Sequence, residues 1–165
     1  MNLSLVGLIK ALSDEVREAA SIYKFSSELE SDKQVTVYEQ EIPDTVLDDE
    51  REDDEEKGSY YPLVLVALQS VGDDLETADP APSVAIIGLT IGTYSEDKDA
   101  WIDLMNLTET IRKHILTKNI IADGFRLVSN ADINFIERQP HPYHFSYMTL
   151  KYTVPQPQPP QIEWS

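Results

Sequence analysis

Two long segments of this chain carry no charged residue: "YPLVLVALQS", residues 61–70, and "VAIIGLTIGTYS", residues 84–95. Both are rich in β-branched and large apolar residues, so each reads as a strand. The first is apolar enough to be buried on both faces or central in a sheet. Between them lies "VGDDLETADPAPS", a polar, proline-containing loop of hairpin type. Gly88 and Gly92 interrupt the second strand, as bulges or as places where another group approaches the backbone closely. The rest of the chain must fold onto this pair.

Leu5, Leu8, Ile9, Leu12, Val16 and Ala19 or Ala20 recur at helical spacing, which predicts a helix over residues 3–22 capped by Asn2 or Ser4. "QVTVYEQ", residues 34–40, alternates apolar and polar residues and reads as a strand ended by Pro43. From Glu96 the period becomes helical again, through Trp101, Leu104 or Met105, Thr108, Ile111 and Ile115. Ser95 is placed to cap this helix, with Glu96, Asp97 and Asp99 in its first turn, where the helix dipole favours acids. Arg112, Lys113, His114 and Lys118 lie towards its end near Asn119, and Gly124 breaks the chain beyond it. "FRLVSNADINFIE" reads as one interrupted strand or two short ones. "RQPHPYH" is a stiff bend, and "HFSYMTLKYTV", residues 144–154, is a half-exposed strand. The expected fold class is α+β: a mixed, mostly antiparallel sheet with two main helices packed on one face. Residues 1–154 form a single domain with a mobile acidic loop at 41–59, and 155–165, "PQPQPPQIEWS", form a polyproline-like tail.

The chain has 165 residues, 41% of them apolar, enough for one domain with a real core. Its formal net charge is -17. Residues 41–57 hold ten acids against two bases, a net of -8, which leaves -9 elsewhere. Such a surface repels nucleic acid and anionic membrane. The absence of cysteine excludes disulfides, thiolate metal sites and cysteine nucleophiles. The N-terminal stretch has no cationic leader and reads as a helix start, and no apolar run approaches the roughly 18 residues of a membrane span. A soluble protein is expected.

The acidic run Asp48–Glu56 lacks the glycine and alternate spacing of a calcium loop, so it reads as a solvated or partner-ordered segment. His141 and His144 form H-x-x-H, but Pro142 between them forbids a regular helix, and no third ligand is evident. "GLTIGT" lacks the lysine of a phosphate loop. Ser95–Lys98 matches the bare S-x-x-K pattern but reads better as a cap. No nucleophile elbow or paired catalytic acid is present, so no enzyme activity, metal or cofactor is expected. What remains are apolar strands, a stiff aromatic bend and a tail carrying Ile162 and Trp164, all suited to assembly.

Residues 91–112, "IGTYSEDKDAWIDLMNLTETIR", and 136–148, "IERQPHPYHFSYM", resemble the tail terminator, or tail completion, proteins of long-tailed phages and prophages. The shared order is a short N-terminal helix and an acidic linker leading to "YPLVLVAL". A strand ending "GTYSED" follows, then a helix opening with Trp101 and Asp103. A Q-P-x-P-Y-x-F bend, here Gln139, Pro140, Pro142, Tyr143 and Phe145, precedes the last strand. The likeness covers residues 60–155 well and the N-terminal part loosely, and the Pro-rich tail departs from the pattern.

The resemblance implies an α/β fold and a ring, typically a hexamer, that caps the finished tail tube and presents a surface to the head connector. It implies a place in the virion tail, reached from the host cytoplasm during assembly. The implied partners are further copies of the chain, the tail tube protein and a head connector or neck protein. DNA would pass through without specific binding, and no membrane is involved. Candidate assembly residues are Tyr94, Trp101, Gln139, Pro140, Pro142, Tyr143, Phe145 and Tyr147. Candidate channel-facing or partner-binding acids are Asp48, Asp49, Glu50, Glu52, Asp53, Asp54, Glu55 and Glu56. Two rival readings are a head-tail joining protein of the same fold and an acidic DNA-mimic binding protein.

Overall fold

The computed structural model describes residues 4–23, 34–43, 60–73 and 83–155. The acidic run and the Pro-rich tail beyond Pro155 lie outside the described residues. Among the described residues, two helices and seven strands follow in the order α1 (Leu5–Ser21), β1 (Thr36–Glu39), β2 (Leu63–Asp73), β3 (Ser83–Tyr94), α2 (Ala100–Thr117), β4 (Ile120–Ile121), β5 (Phe125–Leu127), β6 (Asp132–Phe135) and β7 (Tyr143–Val154). The class is α+β. The sheet order is β1-β2-β3-β7-β5-β4, with β6 also paired to β7. Among the described strand pairs, β1 and β2 run parallel and the others are antiparallel. Parallel neighbours need a crossover of about a dozen residues or more. Residues 40–62, which contain the acidic run, connect Glu39 to Leu63.

The long strands β2, β3 and β7 alternate as the pleat requires. Val64 and Val66 of β2, Ala85, Ile87, Leu89 and Ile91 of β3, and Met148, Leu150 and Tyr152 of β7 face one way and are buried. Leu8, Ile9, Leu12, Val16 and Ala19 of α1 close over that face with Leu104, Leu107, Ile111 and Ile115 of α2. Helix α1 begins as the sequence suggests, with the Ser4 hydroxyl accepting from the Gly7 amide at 3.1 Å. No helix among the described residues is long and apolar enough to cross a membrane.

Helix α2 corrects the expected cap. Its N-cap is Asp99, without a side-chain cap hydrogen bond, and its first helical residue is Ala100. Ser95 Oγ instead accepts from the Asp97 amide at 3.2 Å, closing a local turn before the helix. Glu96, Asp97 and Asp99 therefore precede the first turn, where Asp103 is the acid. Trp101 was expected on the apolar stripe but is 50% exposed, and Leu107 is buried instead. Starting four residues later leaves the stripe to Ala100, Leu104, Leu107, Ile111 and Ile115. One spacing of three and repeated spacings of four then serve the face.

Polar links fix the helices to one another and to the sheet. Glu15 of α1 accepts from Lys118 Nζ at 2.7 Å and meets His114 Nε2 at 2.8 Å, which joins α1 to the end of α2. Burial alone would push the Glu15 carboxyl up, but Lys118 and His114 hold it below its usual value. Glu39 is likewise lowered against its burial, by Lys10 and Arg17 of α1, at 3.3 Å each. Thr108 donates to the Leu104 carbonyl at 2.7 Å, so its contact with Ser146, also 2.7 Å, is donated by Ser146. That bond ties α2 to β7 inside the core.

Truncating Ile87 to alanine removes a fully buried side chain from the middle of this layer. The unfolding free energy should fall by about 2–5 kcal/mol, read as a lower urea midpoint. The lowered Glu15 and Glu39 carboxyls contribute stability that is present above the unfolded value of 4.5 and lost as pH falls through the folded values. Acid titration of Glu15→Gln with Glu39→Gln should show a flatter loss of stability below pH 4.5 than the unaltered chain.

Candidate assembly surface

The second face of the sheet carries the alternate residues of the same three strands. These are Leu63, Leu65 and Ala67 of β2, Val84, Ile86, Gly88, Thr90, Gly92 and Tyr94 of β3, and Tyr143, Phe145, Tyr147, Thr149, Lys151 and Thr153 of β7. Neither helix packs on it. Leu65, Ala67, Ile86 and Thr90 are half-buried by their neighbours, and Tyr147 is 40% exposed. Most of this outer face is apolar or aromatic, and Lys151 is its one charged residue along the three strands among the described residues.

Both glycines of β3 serve this face. A Cβ on Gly92 would lie 2.9 Å from the rings of Tyr61 and Phe145, so the missing side chain is what lets two rings lie over β3. A Cβ on Gly88 would meet the amide of Gln69. Gln69 sits where the β2–β3 register shifts, between Leu68 and Ser70, so the bulge lies on β2, opposite the glycine-bearing strand. Around Gly92 the rings gather at steep mutual angles. Tyr61 and Tyr143 are 5.2 Å apart at 57°, Tyr94 and Tyr143 5.1 Å at 68°, and Tyr61 and Phe145 6.1 Å at 70°. Burial first, with Tyr143 and Tyr38 nearby, pushes the Tyr61 phenol up to about 12, so it stays a neutral hydrogen-bonding group.

The bend before β7 is held by one side chain. Gln139 donates to the Phe145 carbonyl at 2.9 Å and accepts from the Phe145 amide at 2.8 Å. The amide group thus pairs with the edge of β7 as a strand residue would, one residue before the β6 ladder starts at Ser146. Gln40 uses the same device at the other edge. It accepts from the Leu68 amide at 2.8 Å and donates to the Leu68 carbonyl at 3.2 Å, next to the bulge. The peptide bonds Tyr61–Pro62 and His141–Pro142 are cis.

The structure brings together Tyr94, Tyr143 and Phe145 of the expected assembly residues, with Gln139 bracing them and Tyr147 two residues along the same face. Pro142 is half-buried at the bend and Pro140 exposed. Trp101 is apart from this group, on the helix layer. Tyr61 and Gln40 are members that sequence reasoning missed. The available signal was their position, one flanking the apolar run at Pro62 and the other ending the first strand. The acids Asp48–Glu56 lie outside the described residues.

His141 and His144 belong to no group of three possible metal ligands among the described residues. His141 and His144 rings lie 5.7 Å apart, edge to face. The buried His144 points to the core side with Nδ1 lacking a hydrogen-bond partner, opposite Thr93, whose hydroxyl also lacks one. Glu15, Glu18 and His114 approach closely enough for a metal ion, but Lys118 already occupies Glu15 as an ion-pair partner.

No protein-family model matches the chain, and no curated protein sequence matches it. Solved structures do resemble it. A chain from the virion of the native gene transfer agent particle shares 14% identity at a TM-score of 0.46, over 89% of this chain and 96% of that one. The gp17 protein of bacteriophage SPP1 shares 11% identity at a TM-score of 0.45, over 89% of this chain and 91% of that one.

Two measurements check the geometry of the surface. Gly92→Val forces the Tyr61 and Phe145 rings aside and should cost about 1–3 kcal/mol of stability. Gly72→Val, at a glycine with nothing within 4 Å of its Cβ position, should change stability by no more than about 0.5 kcal/mol. Burial and the neighbouring His141 push the His144 pKa below its unfolded value of 6.5. Its contribution is therefore full above pH 6.5 and is lost as pH falls towards the folded value. Between pH 7 and 5, the melting temperature of His144→Phe should fall less steeply than that of the unaltered chain.

Proposed function

We propose that this chain is a structural protein of a phage-type tail. Copies join side by side into a ring, typically a hexamer. The ring caps the tail tube, ends its polymerisation and offers the surface on which the head is attached. One observation carries the reading: the outer face of β2, β3 and β7, apolar and aromatic along three long strands, with neither helix on it. A contiguous apolar face of this kind on a soluble domain marks a contact surface. The resemblance of residues 91–112 and 136–148 to tail terminator proteins supports the same role, and this role asks no catalysis of the chain.

The interface in a ring is heterologous, so one patch meets a different patch on the next copy and the rotation closes. Tyr94, Tyr143, Phe145 and Tyr147 supply the aromatic anchors, and Gln139 holds their bend rigid before contact, which lowers the ordering cost of association. Trp101, half exposed on the helix layer, is available to a second partner such as the tube or connector. The net charge of -17 has a use in the same picture. Acids facing the channel, Asp48–Glu56 among them, repel the phosphates of passing DNA, where a basic lumen would trap it.

Purified protein should be examined by native mass spectrometry and negative-stain microscopy, alone and with tail tube subunits. A closed ring of single stoichiometry in either sample is the expected result; a monomer in both refutes the proposal. Infected cells lacking the protein should contain overlong tail tubes. Tails of normal length beside filled, unjoined heads would assign the chain to head-tail joining instead. Replacing Asp48, Asp49, Asp53 and Asp54 with asparagine should slow DNA passage, and unchanged passage would remove the acids from the channel.

A further inference from the structure

We infer that Glu15, Glu18 and His114 form a site for a divalent transition-metal cation of the zinc class, which clamps α1 to the end of α2. The site lies in the helix layer, across the sheet from the assembly surface, and does not depend on the ring.

Two helices bring the donors together. Glu15 and Glu18 are three residues apart on α1, so their side chains leave the same flank of the helix. His114 stands in the last turn of α2 and meets Glu15 across the helix contact, Nε2 to Oε2, at 2.8 Å. One imidazole nitrogen and two carboxylate oxygens lie within 4.8 Å of one another. Imidazole nitrogen and carboxylate oxygen are donors that zinc takes. At bond lengths of about 2.0–2.2 Å, tetrahedral ligands stand about 3.4 Å apart. Glu15 and His114 are already inside that spacing. Glu18 is exposed, and its carboxylate forms no hydrogen bond or ion pair among the described residues, so it can swing the remaining distance.

Two further observations point to an ion. The first is Lys118, whose Nζ holds the other Glu15 oxygen at 2.7 Å while the Glu18 charge also acts on it, so the place already attracts a cation. The Lys118 side chain is half exposed, and its ammonium regains water on leaving. The second is Tyr152. It stands on the helix-facing side of β7, fully buried, and its hydroxyl has no hydrogen-bond partner. After burial, the Glu15 charge pushes that phenol up, which puts the hydroxyl within electrostatic reach of Glu15. Ligating carboxylates take a hydrogen bond from outside the ligand set. A cation that draws Glu15 off Lys118 leaves a carboxylate oxygen to which Tyr152 donates, and the buried hydroxyl gains the partner it lacks.

The probe is zinc chloride, titrated calorimetrically near neutral pH into full-length protein stripped with a chelator. One tight site is expected above any weak binding by the surface acids. At a hundredfold excess over Kd, zinc should raise the melting temperature by about 5 °C or more. His114→Ala and Glu18→Gln should each weaken the tight site at least about tenfold. Glu18 is exposed, so Glu18→Gln keeps the test valid should His114→Ala fail to fold. Tyr152→Phe loses only the unpartnered hydroxyl and should weaken zinc about tenfold while leaving the zinc-free melting temperature unchanged. Lys118→Ala separates a metal site from a plain ion pair. It should melt lower without zinc yet bind zinc about threefold more tightly, because the competing cation is gone. Equal affinity in the unaltered, His114→Ala and Glu18→Gln proteins means an adventitious ion only and overturns the inference. A Lys118→Ala chain that binds zinc no more tightly overturns it too.

Discussion

The pairing of β3 with β2 on one side and β7 on the other is what everything else in this molecule depends on. Strand β3 is matched along its whole length, from Ser83 opposite Val154 to Tyr94 opposite Tyr143, and with β2 from Leu63 to Asp73. Because side chains alternate along a strand, this register sorts every residue of the three strands at once. Ala85, Ile87, Leu89 and Ile91 go to the helices; Ile86, Gly88, Thr90, Gly92 and Tyr94 go to the other side. A slip of one residue would bring Gly88, Thr90 and Gly92 under the helices and send the core isoleucines to solvent.

The two faces then take different roles. The helix-covered face holds the stability, with Leu8, Leu12, Leu104, Leu107 and Ile111 closing over it and the Glu15–Lys118 pair joining the helix ends. The opposite face is built with less side-chain volume. Gly88 and Gly92 leave hollows in the middle strand, and Gln69, Tyr61 and Phe145 lie over them. Rings braced against backbone lose little freedom on contact, since they are already ordered. Gln139 and Gln40 extend the idea to both margins of the sheet, each using a side-chain amide where a backbone group would continue the ladder.

Much of this was legible in the sequence, for reasons that differ by element. The long strands and α1 were readable because unbroken apolar periodicity over 10 or more residues overdetermines the element. The start of α2 was not, because Ser95, Glu96, Asp97 and Asp99 all suit a helix N-terminus and only the packing of Ala100 and Leu104 selects where it begins. Strand β4 has two residues, too few for any period to show. The bend residues Tyr143 and Phe145 were legible as an aromatic cluster in waiting. Tyr61 joins them across about 80 residues of sequence, through the β2–β3–β7 register, which no local pattern encodes. The roles of Gly88 and Gly92 were half legible: a bulge or a close approach was expected there, the structure shows close approach with the bulge on β2, and the approaching groups were set by register alone.

The central claim is that the outer face of β2, β3 and β7 is where copies meet. Hydroxyl-radical footprinting of the purified protein, free and assembled with tail tube subunits, tests it most directly. Tyr143 and Tyr147 should be oxidised readily in the free chain and protected several-fold on assembly, since an interface core excludes water. Unchanged oxidation of both tyrosines in assembled particles would contradict the account.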